Sequence, residues 1–317
     1  MAQFSPRELA AHLKSGLLSF PATAFTSKGE IDEAKCREHI AWQSSYDVGG
    51  LFAAGGTGEG FSLTPEETAR VVALAVAESH EEVPVLGSAA GSTRQAVQNA
   101  KDAETVGAEG ILVLPPYLTE CAQEGLYNHV AAICAATTIG VIVYNRANAV
   151  FSAETVEKLA ANFDNFIGFK DATGNIEHLT RVISRNGDRL FYLGGLPTAE
   201  MFALPLLQLG MSTYSSAMFN FVPEFALSFY HDIRAQNHDA VTQKLNEFVI
   251  PFVDIREKQQ GYGVSIIKAG LRAVGRDNGP VRAPLQDLTE AEAAELKDLI
   301  VSTGVSPALS SAAAVSV

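Results

Sequence analysis

The sequence predicts an α/β fold, a closed (β/α)8 TIM barrel followed by a C-terminal helical extension. Three observations predict it. Short apolar runs alternate with amphipathic stretches eight times within about 235 residues, close to the ~250 such barrels typically use. The apolar runs are nearly continuous, as in parallel strands covered by helices on one side and a packed interior on the other. The first strand-to-helix turn lacks the glycine fingerprint of an open, dinucleotide-binding sheet.

Strands are expected at 17–21, 50–54, 83–87, 110–114, 141–144, 166–170, 190–193 and 212–215. Helical patterns lie between and after them, at 31–44, 64–79, 92–106, 123–137, 152–162, 175–184, 198–209 and 222–235. Thr64-Pro65-Glu66-Glu67 carries a start signal, a capping threonine with proline at the first helical position and glutamate at the third. Ser152-Ala153-Glu154 offers a second cap. The barrel is expected to occupy 1–235 and a helical extension 236–303. In the extension, 239–257 is apolar at a helical period with Pro251 as an expected break, and 264–274 and 289–301 follow. The tail, 304–317, is small and uncharged and is expected to be loosely attached or disordered.

Composition narrows the function. The formal net charge is −13 and no Lys/Arg-rich run occurs, which argues against nucleic acid and anionic membrane as partners. An anionic small molecule needs only local positive charge or backbone N–H groups. Cys36, Cys121 and Cys134 form no CxxC pattern, and a reducing cytoplasm is the expected compartment. The first residues lack the apolar core of a signal peptide and read as the start of a short helix. No apolar segment is long enough to span a bilayer. The seven histidines are all expected in helical stretches, away from the strand ends, and do not cluster, so no metal site is expected.

In such barrels the chemistry sits at the C-terminal ends of the strands. Strand six ends in Phe166-Ile167-Gly168-Phe169-Lys170-Asp171. An amine at the end of an apolar run is poorly hydrated, which disfavours the ammonium form and frees a nucleophile able to form a Schiff base with a keto acid. The competing reading is a lysine that extends its head group to solvent. Strand two ends in the turn Gly55–Gly60, whose N–H groups can face a carboxylate or simply close a tight turn. Tyr144, one strand before Lys170, can shuttle protons, or it can be a core tyrosine whose hydroxyl meets a backbone carbonyl. Arg146 can pair with a substrate carboxylate or be a solvated loop charge. Strand four ends in Pro115-Pro116-Tyr117, strand seven in Gly194-Gly195, and strand eight in Tyr214-Ser215-Ser216.

Four motifs in order carry a resemblance: Gly55-Gly56-Thr57-Gly58-Glu59, Pro115-Pro116-Tyr117, Tyr144-Asn145, and Gly168-Phe169-Lys170-Asp171-Ala172-Thr173-Gly174. The chain resembles the dihydrodipicolinate synthase / N-acetylneuraminate lyase superfamily of Schiff-base (β/α)8 enzymes from about residue 17 to 301. The resemblance implies Lys170 as the Schiff-base lysine and Tyr144 as the proton-shuttling tyrosine, with no added cofactor. It implies that Gly56 and Thr57 hold the carboxylate next to the ketone. Tyr117 matches a tyrosine that, in some members, reaches a neighbouring subunit's site. A homo-oligomer, dimer or tetramer, is implied as well.

Two departures argue against lysine biosynthesis. Gly56 stands where the synthases carry threonine, and an alanine stands where they carry an arginine after Tyr144-Asn145. The runs Phe20-Pro21-Ala22-Thr23, Tyr144-Asn145-Arg146-Ala147-Asn148 and Tyr214-Ser215-Ser216-Ala217 are most similar to the branch acting on 5-dehydro-4-deoxyglucarate. That branch dehydrates and decarboxylates a six-carbon keto diacid to 2,5-dioxopentanoate. The far carboxylate then falls to Arg146, Asn148, Ser215 and Ser216 as polar candidates, with Gly195 at the substrate as well. An aldolase on the same scaffold and a non-catalytic keto-acid-binding barrel are the rivals.

Overall fold

The computed structural model describes residues 3–116 and 120–306. Among them, eight parallel strands close into one barrel in sequence order, with the eighth pairing back to the first. They are β1 (Leu18–Ser19), β2 (Gly50–Phe52), β3 (Val85–Ala89), β4 (Gly110–Val113), β5 (Gly140–Asn145), β6 (Phe166–Asp171), β7 (Phe191–Gly194) and β8 (Thr213–Ser216). Each overlaps its expected run.

Helix α1 (Pro6–Leu13) precedes the barrel, opened by a Ser5–Glu8 capping box. It closes the floor of the barrel with Leu9 and Leu13, both fully buried. Glycines at the starts of β2, β4 and β5 make room for these leucines. A Cβ on Gly50 would stand 2.7 Å from Leu13 Cδ2, and one on Gly140 would stand 2.9 Å from Leu9 Cδ2.

Around the strands lie α2 (Glu33–Ser44), α3 (Pro65–Glu78), α4 (Thr93–Thr105), α5 (Gln123–Cys134), α6 (Ala153–Asn162), α7 (Ile176–Asn186), α8 (Ala203–Gln208) and α9 (Pro223–Arg234). Thr64 forms the expected capping box with Glu67, and the Ser152 hydroxyl accepts from the Thr155 N–H. The helix expected over 198–209 is shorter. A 3-10 turn at Ala199–Met201 precedes α8, and the break falls at Phe202, whose φ of −119° is not helical. His80 lies just past the end of α3, outside a helix.

The core has two layers. Leu18, Phe52, Leu86, Leu112, Ile142, Ile167, Phe191 and Leu193 fill the barrel interior. Residues of the opposite strand faces, such as Val141, Val143 and Phe169, pack outward against the helices. The pairing of β5 with β6 contains a shift: Val141 pairs with Phe166, but Ile142 pairs with Gly168. Ile167 is the extra residue, and it points inward like Ile142. One inserted residue reverses which side chains of a strand face the core. With the register of Val141 and Phe166 continued unshifted, Phe169 would pair with Tyr144; the shift puts Lys170 beside Tyr144 on the inner face instead.

The extension consists of α10 (His238–Lys244), α11 (Ile250–Arg256), α12 (Tyr262–Ala273) and α13 (Glu290–Thr303). Pro251 does not break the expected helix. A π turn at Leu245–Val249 joins α10 to α11, leaving Pro251 in the first turn of α11, where a missing N–H costs little. The extension packs through aromatic contacts, with Phe248 4.8 Å from Phe225 and Phe252 5.9 Å from Phe221, centroid to centroid. Part of the tail expectation, residues 307–317, lies outside the described residues. No helix among the described residues is long and apolar enough to cross a membrane.

Candidate active site

A cavity of about 250 Å³ opens at the C-terminal mouth of the barrel. Phe20, Tyr144, Lys170, Gly195 and Ser215 reach it from the strand ends, and Gly56, Thr57 and Phe61 from the turn after β2. The loop after β7 adds Thr198, and the extension adds Phe252, Arg256, Val264 and Ile267. Among the described residues, no aspartate or glutamate lines this cavity, whereas Lys170, Arg146 and Arg256 do. On a chain of net charge −13, that local excess of cations marks a site for an anion.

Lys170 is 5% exposed, and its Nζ lies 3.7 Å from the ring centroid of Phe20 and 4.6 Å from that of Tyr144. Burial, and then the nearby Arg146 charge, push its pKa down to about 7. A large fraction is therefore free amine at neutral pH. Gly195 packs directly on the lysine stem, where a Cβ would stand 2.6 Å from Cε and 2.7 Å from Cγ. The Gly195 N–H donates to the Asp171 carbonyl at 2.7 Å, which holds that backbone against Lys170.

The Tyr144 hydroxyl donates to the Gly195 carbonyl at 3.0 Å and accepts from Arg146 Nη1 at 3.0 Å. A backbone carbonyl satisfies the hydroxyl, and Tyr144 shares the cavity with Lys170. Burial raises its pKa, and Arg146 opposes that rise. Neighbouring Asn145 and Asp171 hold the loops. Asn145 Nδ2 donates to Asp171 Oδ1 at 2.7 Å, and Asp171 also accepts from the Thr173 hydroxyl and from the Thr173 and Gly174 N–H groups.

The turn after β2 is anchored from behind. Glu59 adopts a left-handed backbone, φ 54°, and is fully buried. Its Oε1 lies 2.7 Å from Nζ of Lys268 on α12, also fully buried, and its Oε2 accepts from the Arg282 N–H at 2.9 Å. Thr23 donates to the Gly58 carbonyl at 2.6 Å. Gly56 faces open space, so its N–H can be approached closely.

The structure brings together Lys170, Tyr144, Gly56, Thr57, Arg146, Gly195 and Ser215. It turns two expected residues away from the cavity. Ser216 follows Ser215 on a strand, so its side chain points to the opposite face and its hydroxyl donates to buried Glu200. Asn148 donates to the Pro116 carbonyl at 2.6 Å instead. Tyr117 lies outside the described residues. Arg256 and Thr198 are cavity residues that the sequence did not single out. Arg256 reads in sequence as the charged end of a helix, and Thr198 as the residue that starts one.

Comparison with known proteins agrees with this geometry. The model of the dihydrodipicolinate synthetase family matches residues 13–303. A Corynebacterium glutamicum protein named probable 5-dehydro-4-deoxyglucarate dehydratase is 67% identical over 304 residues, covering 96% of each chain. A protein of the same name from Pseudarthrobacter chlorophenolicus is 63% identical over 300 residues, 95% of this chain and 99% of that one. The crystal structure of dihydrodipicolinate synthase from Oceanobacillus iheyensis superposes with a TM-score of 0.85 at 23% identity, covering 95% of this chain and 100% of that one; at that identity the likeness concerns the fold. A family model spanning the barrel and most of the extension, with relatives of 63–67% identity along nearly the whole chain, places this chain in the dihydrodipicolinate synthetase family.

Proposed function

We propose that the chain is a Schiff-base lyase that converts 5-dehydro-4-deoxyglucarate to 2,5-dioxopentanoate, CO2 and water. The observation that carries this reading is Lys170, a buried amine near neutrality in a cavity of cationic and hydroxyl groups, in a chain whose relatives of 63–67% identity bear that dehydratase name.

The amine of Lys170 attacks the C5 ketone and forms an iminium, releasing water. The iminium acidifies C4, and a base removes a C4 proton to give an enamine. Tyr144, one hydrogen bond from Arg146, is the group positioned to carry that proton. The enamine expels the C3 hydroxyl as a second water, leaving a C3=C4 alkene conjugated with the iminium. The C1 carboxylate now sits on the carbon γ to the iminium carbon. When CO2 departs, the C1–C2 electron pair flows through the alkene to nitrogen. Protonation at carbon and hydrolysis of the iminium return Lys170 and release the five-carbon product. One of the two waters is consumed in that hydrolysis, so the net yield is one water and one CO2. The lysine nitrogen serves as electron sink for both bond cleavages, so no added cofactor is required.

The glycine turn, through Gly56 and Thr57, is suited to the carboxylate beside the ketone. Ser215 and Arg146 supply polar groups along the chain of the substrate. A cytoplasmic homo-oligomer acting on a small keto diacid completes the proposal. The test is mass spectrometry of the products from purified protein given 5-dehydro-4-deoxyglucarate. The expected result is 2,5-dioxopentanoate with one equivalent of CO2. Pyruvate with tartronate semialdehyde would identify an aldolase, and a trapped adduct without turnover would identify a binding protein.

A further inference from the structure

We propose that Arg256, steadied by Thr198, receives the carboxylate at the far end of the substrate and makes this site selective for keto diacids over keto monoacids. The inference rests on the Schiff-base reading of Lys170 and deepens it.

Among the described residues the cavity holds three cationic side chains, and each has a distinct situation. Lys170 is the nucleophile. Arg146 donates to the Tyr144 hydroxyl and its charge acts on Lys170, so it belongs to the reacting end. Arg256 enters from the end of α11, a part of the wall that no barrel strand builds. A six-carbon diacid bound as an iminium at Lys170 carries its second carboxylate four carbons from the iminium carbon, away from the lysine. Arg256 is the remaining cation on the cavity wall.

The guanidinium of Arg256 is positioned rather than free. Its side chain is 15% exposed, Nη1 donates to the Thr198 hydroxyl, and Nη2 donates to Glu257 at 2.8 Å. Among the described residues two of its five N–H donors are thus engaged, which fixes the plane of the group and leaves donors for a carboxylate. Thr198 sits at φ 51°, a left-handed conformation that a β-branched residue rarely adopts. Such strain concentrates at binding sites, where the surroundings hold it in place. The first turn of α12 adds a second feature of the same sign. Gly263 and Val264 line the cavity there, and N–H groups in a first turn have no carbonyl partner within their helix.

The pre-existing contact with Glu257 also suits the chemistry. The carboxylate held here is the one that leaves as CO2 and must give up its charge. An arginine already shared with Glu257 grips it less strongly than an unshared one, so the ground state is oriented without being held too tightly.

The test uses adduct formation at Lys170, which does not depend on turnover. Borohydride trapping is measured with 2-oxoadipate and with 2-oxohexanoate, two keto acids of equal length that differ only in the far carboxylate. The wild-type protein is expected to reach half-maximal trapping at about 10- to 100-fold lower 2-oxoadipate, the range for charge-assisted hydrogen bonds. Arg256→Met is expected to reduce that ratio below about threefold, with the loss confined to 2-oxoadipate. If Arg256→Met does not fold, the same ratio is read in Arg256→Gln. A wild-type protein without the preference, a variant that keeps it, or a folded variant that loses both adducts equally would each overturn the proposal. A protein that prefers 2-oxoadipate through Arg256 but leaves 5-dehydro-4-deoxyglucarate unchanged would sink the dehydratase reading and keep this one.

Discussion

The two walls of the cavity differ in how they are built. One wall comes from strand ends: Tyr144 on β5, Lys170 on β6 and Ser215 on β8. Hydrogen-bonded ladders hold these strands: Lys170 is paired on both sides, with Tyr144 and with Leu193, and Ser215 is paired with Leu18. The other wall comes from α11 and α12, where Phe252, Arg256, Val264 and Ile267 are held by side-chain contacts rather than by a backbone ladder. Bond-making chemistry tolerates little displacement, and it resides on the ladder wall. Recognition of the rest of a substrate tolerates more, and it falls to the helical wall. Fold and reaction class can then stay constant while the helical wall sets the substrate.

The largest break in this comparison is Lys170→Ala. It should abolish borohydride-trappable adduct and all turnover, because no second buried amine lines the cavity among the described residues. A persisting adduct would place the nucleophile elsewhere. Tyr144→Phe comes next. It removes the hydroxyl shared by Gly195 and Arg146 and should lower kcat by about 10²- to 10⁴-fold, the usual range for a proton-transfer group. Adduct should still form in single-turnover trapping, and an unchanged kcat would return Tyr144 to a purely structural role.

The two walls are tied together by Glu59, behind the glycine turn, and Lys268 on α12, both fully buried. Removing one partner strands a buried charge, so Glu59→Gln should cost about 3–5 kcal/mol in urea or thermal unfolding. Burial already lowers the Lys268 pKa, with Glu59 opposing, so the variant should drive that amine toward neutrality. The double variant Glu59→Gln/Lys268→Met should recover much of the loss. A single variant no worse than the double would show that the walls are not coupled through this pair. Next, Gly195→Ala probes the fit on the ladder wall. The added carbon would overlap the Lys170 stem at 2.6 Å, and a displacement of about 1 Å at the nucleophile should cost about 10²-fold in kcat/KM.

The same division explains what the sequence made legible. All eight strands and the four motif clusters were readable, since apolar runs and strand ends are local features. The direction of Lys170 was not. It depends on the extra residue Ile167 in the β5–β6 pairing, and the run Phe166-Ile167-Gly168-Phe169 is apolar on both faces, so no alternation betrays the shift. Ser216 was read as a site residue from its neighbour, but strand alternation turns it to Glu200. Pro251 looked like a helix break, because a π turn that accommodates it leaves no mark in composition. Arg256 enters the cavity only once the extension has packed, and Thr198 only through the fold of the loop after β7, tertiary facts that no window of sequence contains.

The smallest expected effect separates the two arginines most cleanly. Burial and then Arg146 lower the Lys170 pKa to about 7. Adduct formation should therefore rise with pH through about 7 and level off above it, as the ammonium becomes amine. The stability consequence has the same origin. An unfolded lysine titrates near 10.4, so between about 7 and 10.4 the folded chain binds fewer protons than the unfolded one at this site. This group's contribution to stability therefore rises with pH across that window, and below it the full cost of burying a charged amine remains. Arg146→Met removes a positive neighbour, so the ammonium becomes easier to keep and the midpoint of adduct formation should move to higher pH. The Tyr144 hydroxyl loses the same opposing charge, so its own pKa should rise further. Arg256→Met should leave the lysine midpoint in place, since burial and then Arg146 are what lower the Lys170 pKa. The measurement is single-turnover trapping across pH for the three proteins. Equal midpoints in all three would mean that burial alone sets the lysine, and a shift in Arg256→Met would mean that the helical wall reaches the chemistry after all.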